Sequence, residues 1–293
     1  MLEDLKELYR YRSLLISMTR RELRIRYKSS VLGFLWSFIN PLVTVLVLTF
    51  VFKYVYKNPT PNFSAYVLAS YLPFMFFQMA VMDSAQSVLG NLTLIKKVYF
   101  PREILPLSQV LANFVHLLLA FLMFFAYLAF IYVRDPRSLP FQPSSLFLPV
   151  LMLINLCLVT GLSLLVSAWN VFYEDVKYVV SIVLYLMFFM CPVMYEIERV
   201  YYSLGRIPYD LYVTNPESMI VVAYRKILLA PQPYVHDQLV RKGPDGNVMK
   251  QIVEAPVPIS WKGILVAALI SIFILIYGYR TFNRMKWRFV ERV

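Results

Sequence analysis

"RYKSSVLGFLWSFINPLVTVL", residues 26–46, passes from cations to hydrocarbon within a few positions. A plain membrane anchor would run on in leucine, yet this stretch carries Gly33, Trp36 and the Asn40-Pro41 pair. Gly33 permits a close backbone passage, Trp36 suits the head-group boundary, and Pro41 removes an amide donor inside an apolar helix. Arg26 and Lys28 are expected to hold the end of the preceding helix at the head groups. The stretch reads as a joint between a surface helix and a first membrane span that has neighbours.

The rest of the chain agrees with that reading. Of its 293 residues 59% are hydrophobic and only 16% charged, with a mean hydropathy of +0.61, which is the composition of a membrane protein. The net charge of +12 could suit nucleic acid, but the basic residues border apolar runs. Membrane lipid head groups are therefore the expected partner, and no nucleic acid is. Cys157 and Cys191 both sit inside apolar segments, without disulfide or zinc spacing. About thirty polar or amphipathic residues precede the first apolar run, so no signal peptide is expected and the first span should remain.

A bilayer core of about 30 Å needs roughly 20 apolar residues in helix. Six stretches come near this: Gly33 to Val55, Tyr66 to Gly90, Ile104 to Val133, Leu146 to Trp169, Tyr178 to Tyr195 and Gly263 to Tyr279. Apolar runs without alternation exclude a barrel, which leaves an all-α integral membrane protein with six transmembrane helices. An even number places both termini on one side. The terminal arms and the links on their side hold 17 of the 29 Lys and Arg residues, so that side is expected to be cytoplasmic.

The first 30 residues are not a slack tail. Leu5, Leu8, Tyr9, Leu15, Ile16, Thr19 and Leu23 recur at three- and four-residue steps, with Lys6, Arg10, Arg21 and Arg24 away from them. Arg12 interrupts the apolar stripe and has to snorkel. This predicts an amphipathic helix lying along the membrane surface. In the second span, Asp83 and Ser87 share a helical face, with Gln86 and Asn91 alongside. Two readings stand: they line a hydrated vestibule, or they bond a neighbouring helix through serines.

The link "NLTLIKKVYFPREILPLSQVL" is amphipathic and basic, and Pro101 and Pro106 fix its bends. The next link on the same side, "NVFYEDVKYVV", carries Glu174 and Asp175 just before a new helix, where acidic residues suit the N-terminal dipole. Both links could also present fixed surfaces to a partner. On the other side, the segment from Cys191 to Pro233 is too apolar for an ordinary loop. A helix over Met219 to Leu229, preceded by the Asn215-Pro216 turn and following the Pro192 break, predicts a partly re-entrant helical pair at about 192–230. Residues 232–258 are polar and turn-rich, an exposed insertion in which a hairpin about Pro244-Asp245-Gly246 is consistent with the composition. Aromatic residues within the spans, including Tyr71, Phe74, Phe76, Phe77, Tyr185, Phe188 and Phe189, either pack against lipid or line a pathway, since aromatic faces bind the C–H surfaces of sugars.

There is no G-x-x-x-x-G-K-[ST] loop, so ATP chemistry is expected from another chain. Two histidines and no carboxylate cluster argue against a metalloenzyme. An envelope-synthesis enzyme would need paired acids near the membrane surface, and the adjacent Glu174 and Asp175 point in different directions on a helix. A gradient-driven transporter would use Asp83 as its proton site.

"RYKSSVLGFLWSFINPL", "LIKKVYFPREILPLSQVL", "FYEDVKYVV" and "CPVMY" followed by "TNPESMIVVAYRKILL" together resemble the membrane-spanning subunit of type-2 ABC exporters for lipid-linked polysaccharides, the O-antigen and teichoic acid permeases. The resemblance runs through nearly the whole chain in order and departs at the insertion 232–258. It implies a bacterial inner-membrane half-transporter: a homodimer forms the pathway and two copies of a separate ATPase, holding ATP and Mg²⁺, bind below. It implies no cofactor and no catalytic residue in this chain. By resemblance, residues 1–30 are the interface helix, with Arg20, Arg21 and Arg24 among its cations, and residues 31–293 are the transmembrane domain. Lys97, Tyr99, Phe100, Arg102, Glu103, Glu174 and Asp175 are expected to contact the ATPase. Pro192, Asn215 and Pro216 belong to outer gate helices, and Tyr71, Phe74, Phe77, Asp83, Ser87, Tyr185 and Phe188 are candidates for the channel wall. The expected cargo is an undecaprenyl-linked O-antigen type polysaccharide, with teichoic acid, a drug or another lipid as alternatives.

Overall fold

The computed structural model describes residues 2–27, 36–55, 62–134, 142–231, 234–242 and 248–289. Lys28, Gly33 and the Pro244-Asp245-Gly246 turn lie outside them. The described elements are, in order, α1 (Leu2–Arg10), α2 (Arg12–Tyr27), α3 (Trp36–Thr49), α4 (Phe63–Ser87), α5 (Leu92–Lys97), α6 (Ile104–Arg134), α7 (Leu148–Phe172), α8 (Val176–Met190), α9 (Ile197–Arg199), α10 (Arg206–Thr214), α11 (Pro216–Leu228), β1 (Tyr234–Lys242), β2 (Val248–Glu254) and α12 (Trp261–Met285).

Among these, α4, α6, α7 and α12 are long and apolar enough to cross a membrane, while α3 and α8 are shorter apolar helices. At 1.5 Å per residue the fifteen residues of α8 rise roughly 22 Å, less than a bilayer core. The expectation of six full spans therefore meets four long helices and two short ones. Proline is the reason at α8: Cys191 precedes Pro192, is forced out of the helical region and takes extended geometry. Pro41 instead sits inside α3, which continues past it and ends in a π-helical turn, Phe50–Val55. The all-α expectation needs one correction. Within the insertion, β1 and β2 pair antiparallel from Tyr234 opposite Glu254 to Lys242 opposite Val248, as the hairpin reading expected of the flanking strands.

The buried centre is α4. Its small residues Ala65, Ala69, Ser70, Ala80, Ser84 and Ala85 are all interior and let α6, α7 and α11 approach closely. Polar side chains of α7 then fasten the pair along its length. Asn155 donates to the Pro73 carbonyl at 3.5 Å, Ser163 to Ala80 at 3.5 Å, and Asn170 to Ala85 at 2.8 Å. All three are buried.

Helix α12 packs on the far side of α7 through glycine. A Cβ at Gly161 would stand 2.6 Å from the Ile274 backbone, and one at Gly278 would collide with the Gly161 carbonyl. Neither obstacle is a side chain that can rotate away. Gly278→Val should therefore cost roughly 3 kcal/mol through overpacking. A fall in thermal unfolding temperature of the purified protein in detergent checks this, and an unchanged midpoint would contradict it.

Candidate functional site

The end of the bundle that bears both termini is built from α1, α2, α5, the two links and the end of α12. The arm is not one continuous amphipathic helix. It is interrupted at Tyr11, although the packed face continues through it. Leu8, Tyr11, Leu14, Leu15 and Met18 pack against Leu94, Ile95, Phe100, Ile104 and Leu105, whereas Tyr9 and Ile16 of the expected apolar face stand exposed. Arg12 lies over the Tyr9 ring at 4.6 Å. Arg20 and Arg24 are exposed, as a charged face requires. Arg21 turns inward instead, donating to Glu22 at 2.7 Å and to Asn91 at 2.8 Å.

Arg26 does not reach for head groups. It is paired with Asp83 and also donates to Asn113 at 3.0 Å, while Asn113 donates to Asp83 at 2.8 Å. This closed triangle joins α2, α4 and α6, so Asp83 bonds neighbouring helices, though through Arg26 and Asn113 and not through serines. Ser87 is buried and donates to the Ser84 carbonyl of its own helix at 2.7 Å, which removes it from any wall of this chain.

In the first link, Lys97 is exposed and Tyr99 is 72% exposed, whereas Phe100 is buried under the arm. Arg102 and Glu103 are not presented outward. Arg102 donates to the Lys286 carbonyl, and Glu103, 2% exposed, pairs with the Lys286 ammonium at 2.7 Å. Partial burial lowers the Arg102 pKa from the usual arginine value, with the Glu103 carboxylate opposing. In the second link, Glu174 and Asp175 are exposed. Asp175 occupies the position before α8 but makes no side-chain cap bond. Asn170 satisfies that helix start instead, accepting from the Lys177 amide at 3.1 Å.

The in-span aromatics divide. Phe74 and Phe77 lie in the core, and Phe188 packs on Phe74 at 5.5 Å and edge-on to the half-buried Tyr71 at 6.1 Å. Within one chain, Phe74 and Phe77 are interior packing and not a pathway surface. Tyr185, 59% exposed, stands on the open face of α8.

At the opposite end, α11 forms as the sequence predicts, from three residues earlier. Asn215 caps it, accepting from Glu217 N at 3.1 Å and Ser218 N at 3.4 Å, and Pro216 fills its first turn. Arg225 of α11 is 4% exposed and serves as the hub. It donates to Ser70 at 2.6 Å, to the Tyr195 carbonyl at 3.0 Å, and to the Tyr66 hydroxyl and the Pro192 carbonyl, and it lies 4.0 Å over the Tyr66 ring. Lys226 pairs with Glu198 at 2.8 Å and donates to the Val257 carbonyl, which fastens the root of the hairpin. A cavity of about 310 Å³ remains there between Ile197, Val222, Leu229, Pro256 and Pro258.

Residues 13–229 match the family model of the ABC-2 type transporter. The chain belongs to the ABC-2 type transporter family. The ABC-2 chain is also 31% identical over 261 residues to the O-antigen export system permease protein RfbA of Myxococcus xanthus, covering 89% of this chain and 94% of that one. Two proteins of the same name from Klebsiella pneumoniae are each 27% identical over 278 residues, covering 95% of this chain and 94% of theirs. A multi-pass membrane protein is what both the family and the four long apolar helices require.

Sequence reading of this ABC-2 protein missed Arg225, Lys226 and Lys286 as site residues. Each is a basic residue near a helix C-terminus, where the dipole alone explains it. Asn170 was equally silent, because one amide in an apolar run looks like helix–helix glue. Replacing Arg225 with lysine should cost about 2–3 kcal/mol, since a point ammonium cannot reach four acceptors and stack as well. Limited proteolysis of the segment after Cys191 measures this, and wild-type resistance would contradict it.

Proposed function

We propose that this chain is the membrane-spanning subunit of an ATP-driven exporter that moves an undecaprenyl-linked cell-surface polysaccharide of the O-antigen type across the bacterial inner membrane. The family membership carries the reading, and the relatives named as O-antigen export permeases supply its cargo. The chain itself is not catalytic. ATP and Mg²⁺ belong to a separate ATPase, of which two copies bind two copies of this chain.

In this reading the short helices α3 and α8 cross the membrane together with the four long ones, and both termini are cytoplasmic. The Lys and Arg distribution supports that side. The surface left for the ATPase is narrower than the whole of both links. Lys97 and Tyr99 from the first and Glu174 and Asp175 from the second are exposed, as are Arg20 and Arg24 of the arm. Arg102 and Glu103 act behind that surface by fixing it. Closure of the nucleotide domains moves the links, and the open face of α8 with Tyr185 lines the path between two copies. The outer pair held by Arg225 closes its far end.

Deletion of the gene should abolish surface polysaccharide and leave lipid-linked glycan inside the cell, and loss of the partner ATPase should do the same. Unchanged surface glycan would overturn the cargo. Turnover of an envelope precursor by the purified chain without an ATPase would overturn the transport reading itself. Tyr99→Ala combined with Asp175→Ala should reduce export roughly tenfold while leaving membrane insertion intact, the size expected for losing a coupling contact.

A further inference from the structure

Beyond α12 the chain makes one more turn, Lys286–Phe289, and this turn touches α1, the first link and the end of α7. Lys286 is 8% exposed. Its ammonium contacts Glu103 at 2.7 Å and Asp4 at 3.4 Å, and its carbonyl accepts from Arg102. The side chain thus binds the first link and α1 by charge, while the backbone binds the first link a second time. Three positions later the buried Phe289 ring lies 5.4 Å from Phe282 and 5.9 Å from Phe172. Phe172 ends α7, two residues before Glu174.

We infer that the turn Lys286–Phe289 is a positioning element that holds the first and second links at a fixed spacing, so that they move as one body, with Lys286 and Phe289 as its positioning residues. This rests on the transport reading given above.

The chemistry favours positioning over plain stability. Phe289 already seals an apolar cluster with Val88, Leu164, Ala168 and Val171. An ammonium and a carboxylate buried beside it lose hydration, and such a pair adds little net stability over apolar side chains of the same size. What the pair does supply is one allowed register. Glu103 keeps a second oxygen that is buried and unbonded among the described residues, so the site is not optimised for bonding alone. Links that must receive a push from below and pass it upward need this kind of cross-brace, because two loops tethered only to their own helices would move independently.

The test uses the full chain with Cys157 and Cys191 replaced and spin labels at Thr93 on α5 and Tyr178 on α8, two exposed positions outside the proposed ATPase contacts. Label separation is measured alone and with the ATPase, beside export per ATP hydrolysed. Lys286→Met, which keeps the aliphatic stem, should broaden the separation and lower export per ATP roughly tenfold. Lys286→Arg should restore both, and Phe289→Leu should behave like wild type where Phe289→Ala does not. An unchanged separation in Lys286→Met and Phe289→Ala would overturn the inference, as would a broadened separation with undiminished export per ATP. If the wild-type complex shows no ATP-dependent export, the transport reading falls, while the separation still decides whether this turn spaces the links.

Discussion

A backbone carbonyl or amide left unbonded in hydrocarbon costs several kcal/mol, and the break after α8 creates several such groups at once. The arginine at position 225 answers that constraint. Its guanidinium takes the carbonyls of Pro192 and Tyr195 and ties them to Ser70 and Tyr66 on α4. The irregular chain after α8 is buried against protein and bonded to it. The position of α11, the attachment of α9 and the rooting of the hairpin through Lys226 all follow from this anchor.

The two ends of the bundle use charge differently. At the end away from the termini Arg225 collects neutral acceptors, while its neighbour Lys226 pairs with Glu198. At the other end cations and carboxylates alternate between elements that are remote in sequence, Arg26 with Asp83 and Lys286 with Glu103 and Asp4. Between them lies a core held by small residues and by the Asn155, Ser163 and Asn170 bonds from α7 to α4. A middle of close backbone contacts and ends of ionic ties suit a body whose interior stays packed while its ends bear on other molecules.

Much of the candidate site was legible where the signal is local. Asn215-Pro216 announces a helix start because an amide side chain can cap and proline has no amide to leave unpaired, and α11 begins there. Pro192 announces a helix stop because its ring forces Cys191 before it into extended geometry. The arm was read less well. The periodicity admits more than one face, and the expected one placed Tyr9 and Ile16 on the buried side, whereas the adjoining stripe Leu8, Tyr11, Leu15 and Met18 is the one that packs. Glu174 and Asp175 looked like caps because of where they stand, yet Asn170 does that work from the preceding helix.

The sequence by itself determined that this chain is helical, membrane-embedded and basic at the end bearing its termini, because hydrocarbon permits few backbone solutions and apolar runs record them directly. Its ordered motifs also carried the resemblance to the ABC-2 family. Only the tertiary structure decided which charged residues are presented and which are consumed. Arg225 meets Ser70 across 155 residues and Lys286 meets Glu103 across 183. No local pattern encodes such pairs, since an ion's partner is whatever packing brings within about 3 Å of it. For the same reason Arg102 and Glu103, alike in sequence to their exposed neighbours, became internal braces, while Tyr99 remained a surface.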